Sequence, residues 1–204
     1  MIGIVNYGSG NIHAVSNIYK RLNIPHFISK DIQDLSLATH LILPGVGAFD
    51  ETMKILNNSG LKTFLDELVL DKKVPVMGIC VGMQLLGEGS EEGILEGFGW
   101  IKGTVKKFDP TTLHHKPHLP HMGWNTVNIK RDNGIFADID HTKGFYFLHS
   151  YYFSCESEND IIGTTDYGIN YASAINNSNV YGMQFHPEKS HHNGVNLFKN
   201  FSKI

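Results

Sequence analysis

The amino-acid sequence predicts an α/β protein built as a doubly wound mixed sheet with helices on both faces. Three observations carry that expectation. Short apolar, β-branched runs alternate with helical periodicity through the first 88 residues, and glycine-rich turns follow the runs at residues 8–11, 44–47 and 78–82. Beyond Glu88 the alternation gives way to shorter strands between turn-rich connections, which predicts a mixed or antiparallel second half. In such sheets the functional residues gather beyond the carboxyl ends of the strands.

Ile2 to Tyr7 reads as a buried strand that stops at Gly8-Ser9-Gly10-Asn11. Ile12, Val15, Ile18, Tyr19 and Leu22 then recur at helical spacing, and Asn23 with Pro25 supplies the stop. The Gly-Ser-Gly turn lacks both the Gly-x-Gly-x-x-Gly spacing and a Walker-type lysine, so it reads as a plain turn and not a phosphate cradle. A weaker strand is expected near His26 to Ser29. His40 to Leu43 is a further apolar run, ending in Pro44-Gly45-Val46-Gly47-Ala48-Phe49. Two glycines bracket Val46 there, so the peptide planes turn with little steric resistance; the segment is either an ordinary strand-to-helix loop or one that directs backbone N–H groups at an anion. Met53 and Leu56 precede a break at Asn57 to Gly60, and Leu61, Phe64, Leu65 and Leu68 form one helical face that ends at Lys72-Lys73. Val74 to Leu86 is a strand, a glycine-flanked cysteine and a helical pattern. Strands are expected near Thr104–Phe108, Thr126–Ile129 and Phe145–Phe153, and a packing helix carries Val195, Leu197, Phe198 and Phe201.

Asp109 to Met122 holds three prolines and four histidines and reads as an irregular loop. His114, His115, His118 and His121 have no second ligand set at zinc spacing, so no metal and no other cofactor is expected. With 204 residues, no internal repeat and no dividing linker, a single domain over 1–204 is expected. A net charge of −3 argues against nucleic acid as a partner. No apolar run approaches the length of a membrane span, the N-terminus lacks a basic leader region, and the two cysteines imply no disulfide framework. A reduced, cytoplasmic setting follows as the expectation.

The stretch around Cys80 organises the rest. A strand-to-helix elbow is crowded, and Gly78 and Gly82 remove side chains that would collide there, lifting the thiol clear of its own backbone. A following helix N-terminus favours thiolate over thiol. A buried, inert cysteine is the commoner fate of an intracellular cysteine taken alone; the paired glycines argue against it. A nucleophilic sulfur needs a base, and the base an orienter. His186-Pro187-Glu188 offers both, because proline holds His186 extended and side chains two apart in extended chain share a face.

Gly78-Ile79-Cys80-Val81-Gly82-Met83-Gln84 together with His186-Pro187-Glu188 resembles the class I (triad) glutamine amidotransferases. The segments Gly8 to Asn11, Pro44 to Gly47, Pro120 to Asn125, His149 to Tyr152 and Lys189 are similar to those of family members that act in histidine biosynthesis as glutaminase subunits beside a (β/α)8-barrel cyclase. The resemblance runs from the first strand to the last helix. It implies a flavodoxin-like sheet and hydrolysis of glutamine by Cys80, His186 and Glu188. It further implies an oxyanion hole from Val81 and the Val46-Gly47 segment, whose peptide flips when the partner binds. Glutamine would be held by Gln84, Ser150 and Tyr151, and the partner, in a heterodimer, by a face including Asn11, Trp124, Tyr146 and Lys189. An aromatic pair with an amide and a lysine suits an interface centre, the alternative for Trp124 being a core position. The same catalytic residues would also serve another ammonia acceptor, such as a synthase that amidates bacterial surface sugars, or survive in a non-catalytic interaction subunit.

Overall fold

The computed structural model describes residues 1–113, 119–131 and 133–204. Local sequence dictates the first half. β1 (Ile2–Val5) is buried throughout and leads into α1 (Ile12–Arg21), whose Val15, Ile18 and Tyr19 face the core; β2 (His26–Ser29) follows. A single turn, α2 (Ile32–Leu35), precedes β3 (His40–Gly45). α3 (Phe49–Asn58) and α4 (Leu61–Asp66) are separated at Gly60, which takes a left-handed φ of 74°, and α4 runs on as a π-helical turn to Asp71. β4 (Val76–Cys80) then enters α5 (Val81–Gln84).

The second half is mostly strand: β5 (Gly89–Ser90), β6 (Gly103–Lys107), β7 (His121–Asn125), β8 (Asn128–Ile129), β9 (Phe145–His149), β10 (Tyr151–Cys155), β11 (Ile161–Tyr167), β12 (Ile169–Asn177) and β13 (Val180–Met183), closed by α6 (His191–Phe201). The main sheet has the path β2-β1-β3-β4-β13-β12-β10-β6-β5, with β11 between β12 and β8, while β7 and β9 form a separate two-stranded ribbon. β2, β1, β3, β4 and β13 run parallel, and β13-β12, β12-β10 and β10-β6 are antiparallel, giving the expected mixed sheet. The strand order reverses between β1 and β3, so right-handed crossovers send α1 and α3–α4 to opposite faces. The carboxyl ends of β1 and β3 thus frame the topological switch point, where α/β sheets bind their ligands.

Several expectations are corrected in detail. Thr126–Ile129 holds only the two-residue β8, with β7 lying just before it; Phe145–Phe153 is two strands broken at Ser150; and the hairpin β11–β12 was not expected from the sequence. His121 and Met122, assigned to an irregular loop, begin β7. His114, His115 and His118 lie outside the described residues. The helical pattern after Cys80 is one turn long, because the carbonyls of Leu85 and Leu86 bond the N–H groups of Phe98 and Ile101 instead of continuing the helix.

Candidate active site

Cys80 is the last residue of β4 and the cap of α5, with φ 54° and ψ −113°. A non-glycine residue in that region costs about 1–3 kcal/mol and persists only where its surroundings enforce it. Here the enforcement is backbone packing. A Cβ on Gly82 would stand 1.9 Å from the Leu43 carbonyl oxygen, one on Gly78 2.3 Å from the Gly82 oxygen, and one on Gly45 2.5 Å from the Gly82 nitrogen. The glycines let β3, β4 and the first turn of α5 touch main chain to main chain, and the strain is left on the cysteine. With α5 only four residues long, the dipole invoked from sequence reduces to the N–H groups of a single turn.

Cys80 lies in a cavity of about 260 Å³ lined by Val46, Gly47, Val81, Gln84, Glu92, Leu148, His149, Ser150, Tyr151 and His186. Its sulfur is 3.8 Å from the Leu148 carbonyl oxygen and 3.8 Å from the amide nitrogen of Gln184. His186 arrives on the chain that continues β13, pinned by its N–H to the Tyr146 carbonyl. It is extended, as the following proline requires, with φ −104° and ψ 91°. Glu188 is not on that extended strand: it returns on a 3-10 turn over Pro187–Lys189, which sets its Oε1 2.9 Å from His186 Nδ1 with both side chains almost fully buried. Burial opposes the imidazolium, but hydrogen bonds to Cys80 and Glu188, reinforced by their charges, outweigh it and raise the proton affinity of His186 well above the ordinary histidine value. With Nδ1 committed to Glu188, Nε2 is the nitrogen left to face the sulfur.

Gln84 lies one turn after Cys80, and both its amide hydrogens are used inside the protein, to the Tyr151 carbonyl at 3.1 Å and to Gln184 Oε1 at 3.1 Å. Its carbonyl oxygen is therefore the end that can accept from a ligand. Two side chains were missed from sequence, Gln184 packed against the sulfur and Glu92 in the cavity wall. Gln184 precedes His186 by two residues in extended chain, so the same alternation that singled out Glu188 pointed to it. Glu92 accepts a hydrogen bond from the Phe49 N–H at the start of α3 and lines the cavity wall; no local pattern marks it.

The turn Gly8 to Asn11 does more than reverse the chain. The Tyr7 hydroxyl donates to the Pro44 carbonyl, and a Cβ on Gly10, whose φ is +88°, would stand 2.6 Å from the Pro44 carbonyl carbon. Between them Ser9 Oγ accepts from the Val46 N–H at 2.9 Å and donates to the Val46 carbonyl at 2.5 Å. In this state the Val46 N–H is directed at Ser9.

Trp124 is 47% exposed, which removes it from the core. It sits opposite Tyr146 in the β7–β9 ladder and stacks on His191 at 5.1 Å, while the Lys189 ammonium lies 5.6 Å above the Tyr146 ring. Asn11 is exposed at the N-terminus of α1. Among the described residues there is no cluster of side chains suited to a metal ion, and no helix is long and apolar enough to cross a membrane. Cys155, the other cysteine, is free, and burial first, then Asp160, pushes its thiol up to about 12.

Comparison with known proteins gives this geometry its family. Residues 6–204 match the model of Glutamine amidotransferase class-I. The chain belongs to the class I glutamine amidotransferase family. It is 49% identical over 204 residues to the imidazole glycerol phosphate synthase subunit HisH of Leptospira interrogans and 48% identical over 204 residues to that of Bdellovibrio bacteriovorus, each alignment covering both chains completely. The fold is shared with a putative GMP synthase protein of Thermoplasma acidophilum, with a TM-score of 0.70 at 21% identity, covering 98% of this chain and 90% of the other.

Proposed function

We propose that this chain, acting as a single domain over residues 1–204, is the glutaminase subunit of imidazole glycerol phosphate synthase. It hydrolyses glutamine and passes the ammonia to a (β/α)8-barrel cyclase, with which it forms a heterodimer making imidazole glycerol phosphate and AICAR in histidine biosynthesis. The observation that carries the reading is a strained cysteine beside a glutamate-oriented histidine in the wall of a cavity of about 260 Å³, in a chain 49% identical along its whole length to a subunit of that name. The setting is the cytoplasm, where thiols stay reduced.

The Cys80 sulfur attacks the side-chain amide carbon of glutamine, and His186 Nε2 gives the departing nitrogen its proton, so ammonia leaves and a glutamyl thioester remains. Water then yields a proton to His186 and attacks the thioester, and glutamate departs as the sulfur recovers its proton or its charge. Glu188 keeps the imidazole in one tautomer and steadies its cationic form. The α-ammonium of glutamine meets the Gln84 carbonyl oxygen and the Glu92 carboxylate, with the Ser150-Tyr151 backbone beside them. The tetrahedral oxyanion needs donors in place before it forms. Val81 N–H, next to the nucleophile, is one; the second comes from the Val46-Gly47 segment once its peptide turns. The bonds between Ser9 and Val46 support a resting state in which that donor is withheld until the partner docks on the face of Asn11, Trp124, Tyr146 and Lys189.

Glutamate release from glutamine, measured with and without a candidate cyclase, tests the reading. Stimulated release that vanishes in Cys80→Ala is expected. Release unaffected by Cys80→Ala overturns the triad assignment, and no release under any condition points to a non-catalytic subunit.

A further inference from the structure

From the cavity wall inward, three buried rings from three strands form one chain of hydrogen bonds: His149 on β9, which lines the cavity, Tyr171 on β12 and His121 on β7. Every proton in it is fixed by its neighbours. The Tyr151 carbonyl can only accept, so His149 Nδ1, 2.7 Å away, carries a hydrogen. Burial first, then the proximity of His121, drives the His149 pKa down to about 3, so the ring is neutral and Nε2 is a bare acceptor. The Tyr171 hydroxyl, 3.1 Å from that nitrogen, must therefore donate to it. Having given its only hydrogen, the Tyr171 oxygen accepts from His121 Nδ1 at 3.1 Å. His121 Nε2 is met at 3.3 Å by the Asn125 amide, whose other hydrogen goes to the Asp166 carbonyl and whose oxygen accepts from the Thr126 N–H. The donors all run one way, from Asn125 to the Tyr151 carbonyl.

That carbonyl is where the chain meets the active site. It also accepts from Gln84, and Gln84 in turn bonds Gln184, whose amide faces the Cys80 sulfur. Ser150 and Tyr151 form part of the cavity wall where β9 ends and β10 begins. The Phe108 N–H holds the Ser150 carbonyl at 3.2 Å, and the Tyr151 carbonyl is held from behind by His149. A His149 of the other tautomer would turn a lone pair toward the Tyr151 carbonyl and repel it.

We infer that Tyr171 is a positioning residue for glutamine: by donating to His149 Nε2 it holds His149 in the Nδ1–H tautomer, which fixes the Tyr151 carbonyl and with it the Ser150-Tyr151 wall of the glutamine site. It touches neither substrate nor sulfur and acts through His149 alone. The inference rests on the glutaminase reading for its substrate, while the tautomer it requires is independent of any activity.

Tyr171→Phe removes only the hydroxyl. Losing one buried hydrogen bond that selects a tautomer is worth about 1.4 kcal/mol, or roughly tenfold in an equilibrium. The expected result is a KM for glutamine raised about tenfold with kcat within about twofold, at unchanged partner binding. Nitrogen chemical shifts of the His149 ring, read in the intact protein by selective labelling, should show protonated Nδ1 and bare Nε2 in the wild type and a larger Nε2–H fraction in Tyr171→Phe, where the Tyr151 carbonyl alone selects the tautomer. Protonated Nε2 in the wild type overturns the inference whatever glutamine does. An unchanged KM in Tyr171→Phe, in a preparation whose wild type hydrolyses glutamine, overturns it too and leaves the glutaminase reading standing. Absence of hydrolysis in the wild type strikes that reading instead, and the ring shifts still decide the tautomer. Should Tyr171→Phe fold poorly, His121→Gln provides the second variant: its amide nitrogen can still donate to the Tyr171 oxygen, so the wild-type His149 tautomer should be retained.

Discussion

Replacing Ser9 by alanine asks whether the Val46 peptide is held back by one hydroxyl. Ser9 Oγ makes two bonds to the same residue, accepting from its N–H and donating to its carbonyl. A hydrogen bond contributes about 0.5–1.5 kcal/mol net, and Val46 is 49% exposed, so water reclaims much of what the hydroxyl gives up. We therefore set the loss for both bonds together at about 1 kcal/mol, at the low end of the range. Only the resting arrangement makes these bonds, so the equilibrium shifts toward the turned peptide by about fivefold, and partner-free glutamate release should rise by that factor at saturating glutamine. In the proposed partner-bound state Val46 N–H has left Ser9, so that rate should stay put and the stimulation ratio should fall about fivefold. Ser9→Thr, which keeps the hydroxyl, should retain the resting rate. The assay is glutamate formation coupled to a dehydrogenase, with the melting temperature recorded for each variant. A partner-free rate that is unchanged or lower in Ser9→Ala, at an unaltered melting temperature, refutes the reasoning.

The elbow's packing predicts that Gly82→Ala destabilises the fold by more than about 3 kcal/mol, since its Cβ would meet the Leu43 carbonyl at 1.9 Å; urea unfolding reads this directly, and a loss under about 1 kcal/mol would contradict the account of the elbow. His149 titrates near 3 in the fold and near 6.5 when unfolded, so its contribution is complete above pH 6.5 and drains away as the pH falls toward 3, at up to about 1.4 kcal/mol per pH unit. His186, raised in the fold, is protonated in both states below 6.5 and adds no slope there. His149→Asn should accordingly flatten the stability profile between about pH 6.5 and 4.5, and a wild-type slope in the variant would count against a neutral buried His149. Trp124→Ala should weaken cyclase binding by at least about 2 kcal/mol, as truncated aromatic anchors do, with partner-free hydrolysis unaltered; unchanged affinity by calorimetry would move the docking face elsewhere.

What could be read from the sequence depended on how local its cause was. β1, α1, β3 and α3 follow from apolar spacing within a few residues and from turns such as Asn57 to Gly60, and they fall where that spacing puts them. The β11–β12 hairpin escaped because its strands are covered on both sides: burial runs through Ile162 to Thr165 and Tyr171 to Asn176 without alternation, and polar Thr164, Thr165, Ser173 and Asn176 interrupt the apolar pattern. The length of α5 was hidden for another reason, since the groups that end it come from Phe98 and Ile101. At the site, Cys80 announced itself through flanking glycines and His186 through its proline, and Gln184 stood in the same two-residue register, unread. Ser9, Glu92 and Tyr171 could not be found locally, because their partners Val46, Phe49 and His149 lie 37, 43 and 22 residues away.

The most direct test of a Cys80 glutaminase is the covalent state it must pass through. Intact-protein mass measured after acid quench of glutamine turnover in the presence of the cyclase should show a fraction of the chain heavier by one glutamine less one ammonia, with the addition mapped to Cys80 by peptide digestion and absent in Cys80→Ser. Glutamate formed at full rate with no addition at Cys80, or with the addition on Cys155, would contradict the account.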